Sequence, residues 1–127
     1  MDKTSEFSFV LKPSKYGIGV FAAHDIKKGT FLRLFGNDEH PEESRVLNKT
    51  DVPELFQHYC IDRDSQLSCP DDFGHMKIGW YLNHSRTPNA EHRNWEYFAI
   101  RDINAGEEIF IDYNTLEESD SAKEDYY

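Results

Sequence analysis

The sequence predicts a mostly β domain, made of several small sheets of short strands with only minor short helices. Two observations lead to this fold class. Apolar residues alternate with polar ones over short stretches, and Gly, Pro, Asn and Asp separate these stretches. An internal repeat also reads as strand, tight turn and strand in each of its two copies. With 127 residues, the chain forms one domain with a single modest core.

The repeat relates residues 21–32 to residues 98–109, with a spacing of 77 residues. Each copy places Phe-Ala before an Asp-Ile-x-x-Gly turn, and an apolar strand follows. Glycine tolerates the positive φ that such a tight turn requires. We therefore expect two related β-hairpins folded against each other, with outgoing strands over 30–35 and 107–111.

The other elements are expected to be short. Pro13 is expected to close the first strand, and Asp51 is placed to cap a helix. In chain order, the expected elements are a strand over 7–12, a helix over 53–58, a strand pair over 61–68, and a helical turn from near Asp71 to Leu82.

The chain carries a formal net charge of −10. Phosphate backbones bind basic surfaces, so direct nucleic-acid binding is not expected. A basic, lysine-containing protein or peptide suits an acidic surface, although acidity also serves solubility alone. No apolar run approaches the roughly 20 residues of a membrane span, and the first residues lack a secretory signal pattern. We expect an intracellular protein without membrane contact, cytoplasmic in the first instance, with a nuclear or host-cell destination left open.

Cys60 and Cys69 are the two cysteines of the sequence, and they form no closely spaced pair. In a reducing compartment we expect both thiols to be free. The histidines are scattered without metal-ligand spacing, so no metal site is expected.

Two polar stretches carry the functional hypothesis. The segment 83–89 contains Asn-His-Ser and Pro-Asn, whose amide and imidazole groups can bind an amino-acid-like or adenine-like ligand. Asp112-Tyr113 ends an apolar strand. Taken singly, the first stretch also fits a polar loop held by its own hydrogen bonds, and the second fits a core tyrosine. Gly17 and Gly19 precede another strand, where they fit a turn as well as a close approach by a ligand.

Three motifs, in this order and spacing, resemble the signature motifs of the SET-domain protein lysine methyltransferases. They are Tyr-Gly-Ile-Gly-Val-Phe-Ala at 16–22, Tyr-Leu-Asn-His-Ser-x-x-Pro-Asn at 81–89, and Gly-Glu-Glu-Ile-Phe-Ile-Asp-Tyr at 106–113. The resemblance implies a β-clip SET-domain fold over residues 1–114. In that fold the segment around Asp112-Tyr113 passes beside the Asn-His loop in a knot-like crossing. An acidic C-terminal tail over 115–127 remains, either mobile or closing the lysine channel.

The resemblance also implies an activity. S-adenosyl-L-methionine is expected as the methyl donor, and the ε-amine of a lysine in a protein, histone-like among the options, is expected as the acceptor. Cofactor and peptide are expected to enter from opposite faces that a narrow channel joins. The residues carried over from the family are Tyr113 and Tyr59 for catalysis, and Ile18, Gly19, Asn83 and His84 for cofactor binding.

The sequence departs from the family at three places. Arg86 stands where many members have a cysteine, and no cysteine follows Tyr113. A zinc-closed channel is therefore not expected, and the tail with Tyr126-Tyr127, or a second protomer in a homodimer, has to close it. Ile111 stands where the family often has Phe or Tyr, which leaves the number of transferred methyl groups open.

The alternative function is a catalytically inactive SET-like module that binds a basic protein partner. The missing zinc-binding segment favours this alternative, whereas intact Asn83, His84 and Tyr113 favour the enzyme. A methyltransferase acting on a non-histone protein or a small-molecule amine shares the chemistry and also stays open.

Overall fold

The computed structural model describes residues 2–15, 17–35 and 45–116. Tyr16 of the first motif and the tail residues 117–127 lie outside the described residues, and so do the expectations that rest on them.

Within the described residues, ten short strands form four small sheets, and helical structure is limited to short turns. The strands are β1 Phe9–Ser14, β2 Gly17–Ala22, β3 Phe31–Leu32, β4 Val46–Asn48, β5 Ile61–Arg63, β6 Gln66–Ser68, β7 Asn83–His84, β8 Ala90–Arg93, β9 Glu96–Ala99 and β10 Phe110–Ile111. The helical elements are α1 Glu54–Gln57 and the 3₁₀ turns Lys49–Asp51, Ile78–Tyr81 and Tyr113–Thr115. The predicted fold class of small sheets with minor helices is confirmed.

Three of the sheets are antiparallel. β1 pairs with β2, β9 lies between β3 and β8, and β6 lies between β4 and β5. The fourth sheet is a parallel ladder that joins β7 to β10 across 27 residues, with Phe110 opposite Asn83 and Ile111 opposite His84. The ladder brings the two polar stretches of the sequence into direct contact.

The two copies of the repeat lie against each other and exchange equivalent hydrogen bonds. The amide of Ile26 donates to the carbonyl of Ile103 at 2.7 Å, and the amide of Ile103 donates back at 2.8 Å. Asp25 accepts from the Ala105 amide, and Asp102 accepts from the Lys28 amide, each across the copies. The copies are therefore related by a local two-fold arrangement.

One part of the hairpin prediction is wrong. Within each copy, the incoming and outgoing strands do not pair with one another: β2 pairs with β1, and β3 pairs with β9. The prediction that glycine occupies a position of positive φ in each turn is confirmed, since Gly29 and Gly106 have φ values of 89° and 88°. Each of these strands pairs with a strand outside its own copy, and β10 likewise pairs with β7, which a local pattern cannot predict.

Other element boundaries also differ from expectation. β1 begins at Phe9 and continues through Pro13, which a strand with only one neighbour tolerates. α1 starts after Pro53 without a side-chain cap, because Asp51 belongs to the preceding 3₁₀ turn. The helical turn expected from Asp71 to Leu82 shrinks to a 3₁₀ turn at its end. The Asp72 side chain accepts the Gly74 amide at 2.7 Å, and this local hydrogen bond competes with helix formation. The strand pair within 61–68 is confirmed.

The main core lies between the repeat strands and the aromatic residues of the central segment. Val20, Ile103 and Ile109 are fully buried. Phe35 packs edge-on against Trp80, with ring centres 5.6 Å apart, and lies 5.5 Å from the ring of Tyr97. Aromatic side chains thus supply much of the buried area. No helix in the described parts of the chain is long and apolar enough to cross a membrane.

The segment 108–111 is held along both of its edges. On one edge, the Ile109 amide donates to Val20 of β2, and Ile111 accepts from the Ser85 amide at 2.9 Å. On the other edge, the buried Asn89 side chain donates to the Glu108 carbonyl and accepts the Phe110 amide, both at 2.8 Å. The loop that follows β7 therefore grips this segment from two sides, as the predicted crossing requires.

We predict that Asn89→Ala lowers the free energy of unfolding by about 2–4 kcal/mol, because it leaves the Glu108 carbonyl and the Phe110 amide without their partner, which is a buried side chain. Urea denaturation measures the change. Asn104→Ala is the matched control: Asn104 is exposed, and we expect a change within about 0.5 kcal/mol. Equal midpoints for the two variants would contradict the grip that we assign to Asn89.

Candidate active site

Asn83 lies at the start of β7 with its side chain buried. Its amide nitrogen contacts three acceptors. The distances are 2.7 Å to Glu108 Oε2, 3.1 Å to the carbonyl of Ile18, and 3.4 Å to Ser14 Oγ. The Asn83 side chain therefore ties the β1–β2 hairpin to the strand that carries Glu108.

Gly19 lies against the same carboxylate. A Cβ atom at this position would meet Glu108 Oε2 at 2.3 Å and Cδ at 2.8 Å, which is far inside van der Waals contact. Ser14 Oγ donates to the other oxygen of Glu108 at 2.7 Å. We call Ser14, Ile18, Gly19, Asn83 and Glu108 the Asn83 cluster.

Glu108 and Ser14 were not among the residues selected from the sequence. The sequence places Glu108 only in the expected outgoing strand 107–111, and it assigns no role to Ser14. The alternation of side chains along the strand could have indicated the direction of Glu108. Ile109 and Ile111 face the core, so Glu108 faces away from it. Its partner could not be found from sequence, since Asn83 lies 25 residues away.

His84 is buried directly after Asn83. Its Nδ1 atom accepts the backbone amide of Tyr113 at 2.9 Å. An imidazole nitrogen that accepts carries no proton, so this contact assigns the neutral ring with hydrogen on Nε2. Asp112 Oδ1 lies 3.7 Å from the same Nδ1, which is too far for a hydrogen bond.

Tyr113 begins the 3₁₀ turn that follows β10. Its hydroxyl donates to the carbonyl of Leu82, and its ring centre lies 5.3 Å from that of His84. Asp112 accepts the Asn114 amide at 2.9 Å and so caps the turn. The tyrosine is thus fixed at both its backbone and its hydroxyl to the segment 82–84.

Tyr113 also lines a cavity of about 300 Å³. Most of the residues that line it are aromatic or aliphatic, but about half of the surface that faces the cavity is polar, and two carboxylates contribute to it. Gly79 also lines the cavity, and a side chain does not fit there because a Cβ atom would lie 2.4 Å from the ring of Phe35. The lining includes Phe35, Tyr59, Trp80, Tyr97, Tyr113, Ile61, Leu82, Ile111, Leu116, Glu54 and Asp62.

The two predicted catalytic tyrosines share this cavity. Tyr59 follows α1 and packs edge-on against Tyr81, with ring centres 5.3 Å apart. Among the described residues that line the cavity, none belongs to the Asn83 cluster. The predicted cofactor residues Ile18, Gly19 and Asn83 therefore lie together at a different place. Tyr113 connects the two places through its contacts with His84 and Leu82.

The two cavity carboxylates have different surroundings. Asp62 accepts from Lys49 Nζ at 2.6 Å, and its side chain is only 15% exposed. Glu54 is exposed. The paired carboxylate presents little net charge to a ligand, whereas Glu54 offers an open negative charge at the rim. The arrangement suits a long, flexible, mostly aliphatic group with a cationic end.

Cys60 and Cys69 are free thiols, as expected. The strand register places them next to each other, one step beyond the Ile61–Ser68 pair. Burial raises the pKa of the Cys60 thiol strongly, with the neighbouring Cys69 as the second cause, and burial also raises the pKa of Cys69. Across residues 2–15, 17–35 and 45–116, no cluster of three or more His, Cys, Asp or Glu side chains could hold a metal ion.

A family model for the SET domain matches residues 17–114 of the chain. The matched range contains Gly19, the segment 83–89 and Tyr113, and leaves out only β1 among the strands. It covers more than three quarters of the 127 residues.

Two curated proteins illustrate the sequence similarity of this chain. A variant-silencing SET domain-containing protein of Plasmodium falciparum is 28% identical over 119 residues, which cover 83% of this chain and 5% of that protein. The histone-lysine N-methyltransferase Su(var)3-9 of Drosophila melanogaster is 30% identical over 122 residues, which cover 82% of this chain and 19% of that protein. The chain thus spans a small part of these relatives.

A solved structure supports the fold. The crystal structure of a Plasmodium falciparum protein, provisionally assigned as a histone methyltransferase, superposes with a TM-score of 0.51 at 21% sequence identity. The superposition covers 86% of this chain and 95% of that chain.

We predict that both thiols react slowly in the native protein. At pH 8 the raised pKa keeps them protonated, and only the thiolate attacks a disulfide reagent. Ellman's reagent should modify native protein at least about tenfold more slowly than protein unfolded in urea. Fast native labelling of Cys60, which is only half-buried, would contradict the raised pKa.

The same shifts set a direction for stability. Unfolded thiols ionise near pH ~8.5, whereas the folded thiols hold their protons to higher pH. The folded state therefore binds more protons in that range, and the free energy of unfolding should fall as pH rises above about 8.5. The double variant Cys60→Ala/Cys69→Ala should lack this part of the decline.

Proposed function

The chain belongs to the SET-domain family, and from this premise we propose that it transfers a methyl group from S-adenosyl-L-methionine to the ε-amine of a lysine in a protein substrate. The observation that carries the proposal is the position of Tyr113. It lies in the wall of an aromatic cavity, and its amide is bound to His84, next to Asn83 of a separate polar cluster. A donor site and an acceptor site can therefore meet at one side chain.

The Asn83 cluster supports the donor side. Methionine-like ligands carry an α-amino group and an α-carboxylate, which a carboxylate and an amide can bind. Glu108 and Asn83 provide these groups, and the Glu108 carboxylate lies directly against the backbone of Gly19, where no side chain would fit. Ile18, Gly19, Asn83, His84 and Glu108 are the residues that would hold the cofactor. When bound, S-adenosyl-L-methionine supplies an electrophilic methyl group on a positively charged sulfur.

The cavity supports the acceptor side. Methyl transfer needs a neutral amine, and free lysine has a pKa near ~10.4, so deprotonation at pH 8 costs roughly 3 kcal/mol. An aromatic wall disfavours the ammonium form by removing water from it, which lowers that cost. Asp62 is already neutralised by Lys49, so it opposes this effect little.

Tyr113 then orients the reacting groups instead of acting as a strong base. Its ring borders the cavity, and its two hydrogen bonds to the segment 82–84 fix its position. Positioning of two reactants can contribute several kcal/mol to a reaction rate. Tyr59, in the same cavity, is proposed to share this role.

The substrate is proposed to be a basic, histone-like protein or peptide. The protein has a net charge of −10, and exposed Glu54 lies at the cavity rim, so a lysine with basic neighbours is attracted to it. The name of the Drosophila relative describes a histone-lysine N-methyltransferase, which agrees with this substrate class. The competing account is an inactive module that binds a basic partner, favoured by Arg86 at a position where many family members have a cysteine.

Calorimetric titration of S-adenosyl-L-methionine tests the donor site. We predict micromolar binding to the wild type and a loss of at least about tenfold in Asn83→Ala, since the variant frees the Glu108 carboxylate from its position. Asn104→Ala, exposed and outside the cluster, should bind like the wild type. A folded wild-type protein that binds no S-adenosyl-L-methionine would favour the inactive module.

Tyr113→Phe tests the proposed link between the two sites. The variant keeps the ring in the cavity wall and removes only the hydroxyl that contacts Leu82. We predict that kcat falls by at least about a hundredfold, while the affinity for S-adenosyl-L-methionine changes by no more than about threefold. Steady-state kinetics and calorimetry provide the two values. Parallel losses in both would show that Tyr113 is structural.

A further inference from the structure

The chain that follows Tyr113 turns back over the cavity. Thr115 donates its amide to the carbonyl of Asp112, and Leu116 donates to the carbonyl of Tyr113, both at 3.0 Å. Leu116 is 6% exposed and forms part of the cavity wall. One wall of the cavity is therefore made by a short 3₁₀ turn and the residue after it, and this segment does not belong to any strand.

Two side chains from different sheets hold this turn by its carbonyl groups. Arg63 of β5 donates from Nη1 to the carbonyl of Leu116 at 3.0 Å. The Nε2 atom of His92, on β8, lies 2.9 Å from the carbonyl oxygen of Thr115. Consecutive carbonyls of the turn are thus bound from two directions.

The donor role of His92 follows from its second contact. The amide of Trp95 donates to Nδ1 of His92 at 3.2 Å, so Nε2 carries the proton that Thr115 accepts. The His92 ring is stacked on the Trp95 ring, with centres 4.6 Å apart and planes 18° from parallel. The orientation of the imidazole is therefore fixed by packing as well as by hydrogen bonds.

Trp95 adopts a backbone conformation that is unfavourable for its residue type. It forms the β8–β9 turn together with Asn94, at φ values of 67° and 53°. Asparagine tolerates positive φ, whereas a bulky side chain such as tryptophan is an outlier there. The ring lies within 5.9 Å of the Arg63 guanidinium as well as on His92. Strain of this kind persists where surrounding contacts impose it.

We propose that Arg63 and His92, supported by Trp95, are positioning residues that fix Leu116 as a wall of the lysine cavity. We call these three residues the clasp. The inference rests on the proposed function for the identity of the ligand, but the holding of the turn can be measured without it.

The clasp has a defined consequence for substrate. Leu116 and Ile111 present aliphatic groups to the cavity, which can cover the methylene chain of a lysine and keep water from its amine. The Asn83 cluster contains no clasp residue. Loss of the clasp should therefore weaken binding of the lysine substrate and leave binding of S-adenosyl-L-methionine unchanged.

Hydrogen–deuterium exchange tests the holding of the turn directly. In Arg63→Met and in His92→Phe, which keeps a ring to stack on Trp95, the amides of Thr115 and Leu116 should exchange about tenfold faster than in wild type. The amide of Ile109 serves as an internal reference. Arg93→Met is the matched control, because Arg93 also lies over an aromatic ring, that of Phe98 at 5.1 Å, but outside the cavity wall.

Kinetics test the effect on substrate. Leu116→Ala and Arg63→Met should raise KM for a lysine-containing basic peptide about tenfold, with the Kd for S-adenosyl-L-methionine within about twofold of wild type. Arg93→Met should change neither value. Unchanged KM in Leu116→Ala would overturn the role of Leu116 as a wall for substrate.

The two proposals fail in distinguishable ways. Unchanged exchange in both Arg63→Met and His92→Phe overturns the clasp, whatever the activity of the protein. A wild type that transfers no methyl group to any lysine peptide overturns the proposed function, and faster exchange in the variants then still establishes that the clasp holds the turn.

Discussion

The arrangement of the site depends on the grip of the loop 83–89 on the segment 108–111. β7 binds one edge of this segment and the Asn89 side chain binds the other, so its position and rotation are both fixed. Alternation along the strand then assigns the side chains. Glu108 faces the Asn83 cluster, whereas Ile111 and Tyr113 face the cavity. We propose that the donor site and the acceptor site lie on two sides of this one segment.

Local chemistry allowed the fold class and the turns to be predicted, because short alternating stretches and Asp-Ile-x-x-Gly turns act over a few residues. The pairing of the repeat copies could not be predicted in this way: Asp25 and Asp102 each bind the other copy's turn. The resemblance selected Asn83, His84 and Tyr113; His84 contacts Tyr113, whereas the Asn83 side chain lies in the separate cluster with Glu108. Glu108 was missed, since its importance comes from a partner that folding alone brings near.

Two effects are proposed to contribute to substrate recognition: the net charge of the surface and the packing of the cavity. The net charge of −10 acts at long range and favours basic partners in general. The cavity acts at short range, where Lys49 neutralises Asp62 and most of the lining residues are aromatic or aliphatic. In the proposed function, a basic protein is attracted by its charge, and its lysine then enters surroundings that favour the neutral amine. The clasp holds Leu116 in place as a further part of the cavity wall, since the segment around Leu116 does not belong to any sheet.

Transfer of an isotope-labelled methyl group from S-adenosyl-L-methionine to a mixture of basic, lysine-containing peptides tests the central claim most directly. Tandem mass spectrometry of the products locates the label. The account predicts label on lysine side-chain nitrogens, and none on arginine or on α-amino groups. Label on those other groups, or bound S-adenosyl-L-methionine with no labelled peptide at all, would contradict a site in which the Asn83 cluster and the aromatic cavity meet at Tyr113.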